Sequence, residues 1–267
     1  MTERHLRQSF LGKNSERLIS EACIGIVGIC GGGSHIAQQL AHIGIGNFKL
    51  FDHDHAEHHN INRMVGLSLE EAVNKEPKTK VIERLIKSVN PSANITLTSE
   101  RWQVKPELLK DCTAIFGCVD SYQAREELER YARRYLIPYI DMGMDVHGEP
   151  DNYFVTGQVI LSLPDMACMR CMGFITDARL REEANKYGNA GGQPQVIWSN
   201  GALASIAIGK FMSILTPWNQ NLLPSLYTEY DGNRLTISPS KKLTAINECS
   251  CNHYGGENGI GDFCFAK

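Results

Sequence analysis

Residues 24–35 read Ile-Gly-Ile-Val-Gly-Ile-Cys-Gly-Gly-Gly-Ser-His. The first half is a short apolar run rich in β-branched residues, the pattern of a strand buried on both faces. The second half is glycine-rich. Beyond it Ile36, Leu40 and Ile43 recur at helical spacing, with Ala37 and Ala41 beside them. A strand, a glycine turn and a helix aim backbone N–H groups and the positive end of a helix dipole at one point, which suits a phosphate. Gly28, Gly31 and Gly33 are the positions where a Cβ would obstruct a close backbone approach. A plain tight turn is the competing reading. Cys30 stands where the dinucleotide fingerprint wants glycine, which argues against NAD and for another nucleotide.

The chain has 267 residues, enough for one domain, and we take 1–267 as a single unit. A formal charge of −3 gives no basic footprint for nucleic acid. No apolar run approaches the ~18 residues a membrane span requires. The start, Met1-Thr2-Glu3-Arg4-His5, lacks the apolar core of a secretory signal, so the chain reads as cytoplasmic. Nine cysteines in a reducing compartment point to metal before disulfide.

Residues 4–20 read as an amphipathic helix and its continuation. A second strand, 48–51, ends in Asp52-His53-Asp54, about 20 residues past the glycines, where a carboxylate can accept from ribose hydroxyls. A turn cap is the alternative for Asp52. His53, His55, His58 and His59 sit in a polar loop without a clear i, i+4 pair, so solvation explains them more cheaply than a metal. Asn60 and Arg63, three residues apart, can face a triphosphate together. Lys78 and Lys80 open a periodic helix over 78–89, where a cation opposes the dipole unless an anion is near. The strand 113–118 delivers Asp120 to its C-terminal end. There it can touch phosphates or Mg²⁺, or else cap the helix 121–135 that carries Arg125. Another buried strand follows at 138–143.

From Tyr153 the pattern turns antiparallel. Residues 172–195 read as a mobile loop with a helical piece, 196–215 as a long apolar helix, and Asp231-Gly232 as a hairpin turn. Cys168-x-x-Cys171 and Cys249-x-Cys251 offer four thiolates for a structural Zn²⁺ that would staple the C-terminal part to the body. Ordinary buried cysteines or a redox pair are the alternatives.

Taken together, several features resemble the MoeB/ThiF family, bacterial relatives of ubiquitin-activating enzymes. They are Arg7-Gln8, the turn Gly28–Gly33, Gly44-Ile45-Gly46-Asn47, Asp52-x-Asp54, Asn60-x-x-Arg63, Pro77-Lys78, Cys118-Val119-Asp120 with Arg125, Gly157-Gln158 and the two cysteine pairs. The resemblance implies an α/β fold: a Rossmann-like, mostly parallel sheet flanked by helices, with a C-terminal antiparallel extension and a zinc staple. It implies adenylation of the C-terminal glycine carboxylate of a small ubiquitin-like or sulfur-carrier protein, with ATP and Mg²⁺, by a homodimer. In that scheme Gly31 approaches the phosphates and Asp52, with Asp54 beside it, holds the ribose. Asn60, Arg63 and Lys78 neutralise the triphosphate, Asp120 binds magnesium, and Arg7 enters the partner's site. A carboxylate attacking an α-phosphate meets like-charge repulsion that such cations offset, and it needs no general base. The departures are Cys30 for glycine, Met64 for a frequent glutamine, the shortened second cysteine pair, and no cysteine in 172–195. The last implies no thioester through that loop and leaves Cys264 as the outside candidate. An NAD-dependent oxidoreductase, a non-catalytic ATP-binding scaffold, and a peptide or small-molecule carboxylate as acceptor are the competing readings.

Overall fold

The computed structural model describes residues 3–164, 166–185, 194–219, 221–245 and 253–254. Cys249, Cys251 and Cys264 lie outside them. The chain enters as a 3₁₀ segment, Glu3–Leu11, followed by α1 (Ser15–Glu21). The amphipathic helix and continuation expected over 4–20 are a 3₁₀ segment and α1, separated where Gly12 and Asn14 both take positive φ. Leu11 and Ile19 are buried, whereas Leu6 and Phe10 are exposed.

Then come β1 (Cys23–Val27), α2 (Gly31–Ile43), β2 (Asn47–Phe51), α3 (Leu69–Val73), α4 (Lys78–Val89) and β3 (Asn94–Thr98). β4 (Ala114–Gly117), α5 (Tyr122–Arg134), β5 (Tyr139–Glu149) and β6 (Asn152–Ser162) follow. The chain continues with α6 (Asp177–Asn185), α7 (Ile197–Leu215), β7 (Tyr227–Asp231) and β8 (Thr236–Pro239).

These strands form one sheet in the order β3-β2-β1-β4-β5-β6-β7-β8. The first five are parallel, and β6, β7 and β8 add antiparallel. β1 pairs with β2 on one side and β4 on the other, so the crevice beyond its C-terminal end is the switch point where such sheets bind ligands.

The two-residue period of a strand divides the core. Ile24, Ile26 and Phe116 join the cluster with Ile36 and Leu40 of α2, Ile82 and Ile86 of α4, and Phe211 of α7. Val27 and Ile115 join the opposite cluster with Leu128 and Tyr131 of α5. Each such side chain, fully buried, contributes about 1.5–3 kcal/mol relative to exposure. Met64 also lies in the first cluster, 2% exposed, so this departure from the family pattern faces the core.

Residues 172–195 are only partly what their polarity suggests. Met172, Phe174 and Ile175 are buried in the second cluster, and α6 follows; 186–193 lie outside the described residues. The hairpin between β7 and β8 is longer than the pair Asp231-Gly232 predicts. Asp231 Oδ1 accepts from the N–H groups of Asn233 (3.1 Å) and Arg234 (3.0 Å), and Leu235 takes φ 55° before β8 begins. Among the described residues no helix is long and apolar enough to cross a membrane.

Candidate functional site

The glycine turn joins β1 to α2 as the sequence requires, and α2 begins within the glycine run, at Gly31. Gly28 has φ +87°, and a Cβ there would overlap the Cys118 carbonyl, while one on Gly33 would overlap the Gly28 carbonyl. A Cβ on Gly31 would lie 2.6 Å from Asn200 Nδ2 and 2.9 Å from Gln195 Oε1, so the approach to α7 packs over this turn. The N-cap, Cys30, makes no side-chain capping bond. The N-terminus of α2 therefore points into the crevice with its dipole uncompensated by a carboxylate cap.

Four further elements bring charge to that point. Asp52, at the end of β2 and 8% exposed, accepts from Ile29 N–H at 2.7 Å and from Asp54 N–H at 2.9 Å. Burial pushes its carboxyl up, and Lys78 with those two N–H groups opposes this. Lys78 opens α4, is 5% exposed, and donates to Asp54 Oδ2 at 2.8 Å. Burial works against its charge, but Asp52 and Asp54 outweigh it and hold the ammonium above its usual range. On Asp54 burial again pushes upward, yet the Lys78 bond and charge, with His53 and His55, bring its carboxyl below the usual value. The cation at the helix start is thus answered by two carboxylates of the same site.

Asn60 ends a 3₁₀ turn, is 2% exposed, and places Nδ2 3.6 Å from Cys30 Sγ. Its Oδ1 accepts from Glu57 N–H at 2.9 Å. Arg63, half-buried, donates from Nη1 to the His59 carbonyl (2.6 Å) and to Asn62 Oδ1 (3.0 Å), while its buried Nε has no partner among the described residues. Burial raises the Cys30 thiol, and Lys78 and Arg63 are the charges that lower it, which puts both cations beside the turn. Of the loop histidines, His53 alone groups with Asp52 and Asp54 within metal-ligand spacing among the described residues.

Asp120 approaches from the β4 side. It is exposed, and the N-cap of α5 is Ser121, whose hydroxyl accepts from Ala124 N–H at 3.1 Å. The capping alternative for Asp120 is therefore overturned. Behind it Arg125 donates to Asp141 Oδ2 at 2.5 Å, and Tyr139 donates to Asp141 Oδ1 at 3.1 Å. Gln158, with its amide oxygen accepting from Arg125 at 2.7 Å and its nitrogen donating to the Gly143 carbonyl at 3.3 Å, completes this buried network. Desolvation raises Asp141, and its contact with Arg125 opposes that. Glu183 of α6 accepts from the N–H groups of Tyr122 (2.8 Å) and Gln123 (3.0 Å), which ties α6 to the start of α5.

Arg7 is not brought to the cluster. It is exposed on the N-terminal 3₁₀ segment, which packs at the opposite end of α2, where a Cβ on Gly44 would meet the His5 ring. Cys168 and Cys171 lie on a turn after β6, with their sulfurs 3.5 Å apart. His253 Nδ1 is 3.5 Å from the first and 3.4 Å from the second. These three could hold a metal, and soft thiolates with an imidazole suit Zn²⁺. Sequence reasoning missed His253, although it follows Cys251 by two residues. It also missed Asn200 and Gln195, which sit at an apolar helix and gave no charge signal.

Two relatives and two solved structures can be set beside this geometry. The chain is 30% identical to the sulfur carrier protein ThiS adenylyltransferase of Bacillus subtilis (strain 168), over 52% of this chain and 43% of that protein. It is 28% identical to the ubiquitin-like modifier-activating enzyme 5 of Drosophila willistoni, over 62% of this chain and 42% of that protein. The matched stretch thus spans less than half the length of either relative. The microcin C7 biosynthetic enzyme MccB in complex with N-formylated MccA shares the fold with a TM-score of 0.77 at 17% identity, over 95% of this chain and 75% of that chain. Escherichia coli MccB with ATP gives a TM-score of 0.71 at 18% identity, over 90% and 71%. The sequence pattern of the ThiF family runs from residue 2 to residue 252, through the turn, the charged cluster and the cysteine turn alike, and the chain belongs to that family.

Proposed function

We propose that this chain is an ATP-dependent adenylyltransferase. It converts the C-terminal glycine carboxylate of a small ubiquitin-like or sulfur-carrier protein into an acyl-adenylate and releases pyrophosphate. The observation that carries this reading is the convergence of the α2 N-terminus, buried Lys78, and Arg63 with its unpartnered Nε on one crevice. Such a set favours anionic oxygens and offsets the repulsion between an attacking carboxylate and a phosphate. Asp52 offers acceptors for ribose hydroxyls, and Asn60 adds an amide donor. The attacking carboxylate is already ionised at neutral pH, so no general base is needed.

Asp120, exposed and not a helix cap, would hold Mg²⁺. That ion supplies charge neutralisation on the leaving pyrophosphate. Arg7 serves the partner's site of a homodimer, in keeping with its distance from its own chain's cluster. A structural Zn²⁺ at the cysteine turn, a cytoplasmic setting and one unit over 1–267 complete the proposal. No loop thioester is involved, since 172–195 holds no cysteine.

The test is ATP–pyrophosphate exchange with a candidate small protein ending in glycine. Lys78→Ala or Asp120→Ala should each lower exchange at least ~100-fold, about 2.7 kcal/mol of transition-state stabilisation. Undiminished exchange in both variants would overturn the assignment.

A further inference from the structure

The three donors at the turn after β6 lie at spacings that a single metal ion would impose. For tetrahedral zinc with Zn–S near 2.3 Å and Zn–N near 2.0–2.1 Å, two sulfurs stand about 3.8 Å apart and a sulfur and a nitrogen about 3.5 Å. Here the sulfurs of Cys168 and Cys171 are 3.5 Å apart, and His253 Nδ1 is 3.5 and 3.4 Å from them. A disulfide would need the sulfurs at about 2.05 Å, so the cysteine turn is not an oxidised pair. The Cys171 N–H lies 3.4 Å from Cys168 Sγ, a contact that favours a thiolate over a thiol.

The placement of His253 has an independent support. Its neighbour Tyr254 donates to Glu129 Oε2 at 3.1 Å, and Met169, inside the cysteine turn, donates its N–H to Glu129 Oε1 at 2.9 Å. Ser162 also donates to Oε1, at 2.6 Å, and Arg133 stands 3.6 Å away. Glu129 is fully buried, so this carboxylate fixes both ligand-bearing segments against α5. Partners of this kind orient metal ligands from outside the coordination shell.

Resting on the structural-zinc reading above, we propose that His253 is a zinc ligand through Nδ1, so that the shell is a mixed sulfur–nitrogen set and not four thiolates. Cys168, Cys171 and His253 fill three corners of the tetrahedron. One corner then remains, so Cys249 and Cys251 cannot both be ligands. Donors from two segments distant in sequence give the ion a structural role, holding the turn and the His253-Tyr254 segment together.

The experiment uses the full chain, loaded with zinc. X-ray absorption at the zinc edge should show at least one nitrogen among four light-atom neighbours, with sulfur making up the rest. His253→Ala should lose that nitrogen and release zinc to a competing chelator at least ~100-fold more readily, more than the loss of an outer-shell partner. His253→Cys should retain zinc with an all-sulfur shell. An all-sulfur shell in the unaltered chain would overturn the His253 assignment and leave the structural-zinc reading standing. So would an unchanged retention in His253→Ala. A chain that takes up no zinc when it is supplied would overturn both.

Discussion

Two lysines are buried to the same degree in this chain and have opposite fates. Lys78 and Lys210 are each 5% exposed. Lys78 faces Asp52 and Asp54, and its ammonium is held above the ordinary range against the desolvation that burial imposes. Lys210 of α7 donates, among the described residues, to the Ser225 carbonyl alone, and burial brings it down to about 8. The unfolded value is about 10.4. Between these two values the unfolded chain binds more protons than the folded one, so stability contributed at this site rises with pH across that window. Urea unfolding at pH 8 and pH 9.5 should show the unaltered chain gaining stability relative to Lys210→Met; parallel profiles would contradict the buried, partner-poor ammonium. Lys78 could be read from the sequence because a cation at a helix start asks for an anion. Lys210 gave no such signal, since no acidic residue lies within four positions of it along α7. Asn200 and His253 escaped for a related reason. Their roles arise from segments distant in sequence that only the fold brings together, over Gly31 in one case and beside Cys168 in the other.

At the level of elements, the strand–turn–helix unit was the most legible part of the chain, yet α2 starts earlier than glycine's poor helix propensity suggests. The turn is fixed by backbone packing, with Gly28 against Cys118 and Gly33 against Gly28. Packing overrode propensity there. The contrast with Gly209, an exposed position of α7 with open space around its Cα, gives a paired prediction. Gly33→Ala should destabilise the chain by about 3 kcal/mol through overpacking. Gly209→Ala should stabilise it by about 0.5–1 kcal/mol through helix propensity. Denaturant midpoints at a fixed pH decide both. The stretch after Cys171 was misjudged because its polar composition hides three buried apolar side chains, Met172, Phe174 and Ile175, which bind it to the α5 face of the sheet. Asp120 was placed correctly at a strand end, but spacing alone could not separate ligand from helix cap. The hydroxyl of Ser121, which accepts from Ala124 N–H, takes the capping role.

Across the whole molecule, the five parallel strands carry the crevice, and the antiparallel strands extend the sheet away from it. A mostly parallel sheet with a C-terminal antiparallel extension is what the family resemblance implied, whereas contacts that cross between segments were not legible. The placement of Arg7 at the far end of α2 yields a prediction about assembly. If the arginine serves a partner's crevice, Arg7→Ala and Lys78→Ala chains should each be inactive alone. Mixed after subunit exchange, they should recover roughly a quarter of the original exchange rate, because half the dimers hold one complete site. No recovery on mixing would place the arginine's effect within its own chain. α6 is held at both ends by charge. At its start Asp177 meets Arg170 at 2.8 Å, and Arg170 also pairs with Glu126; near its end Glu183 occupies the first N–H groups of α5. The cysteine turn and the start of α5 are therefore joined by a single short rod. Loosening either tether would free α6 at that end, so the seating of the cysteine turn and that of the first turn of α5 become one mechanical variable.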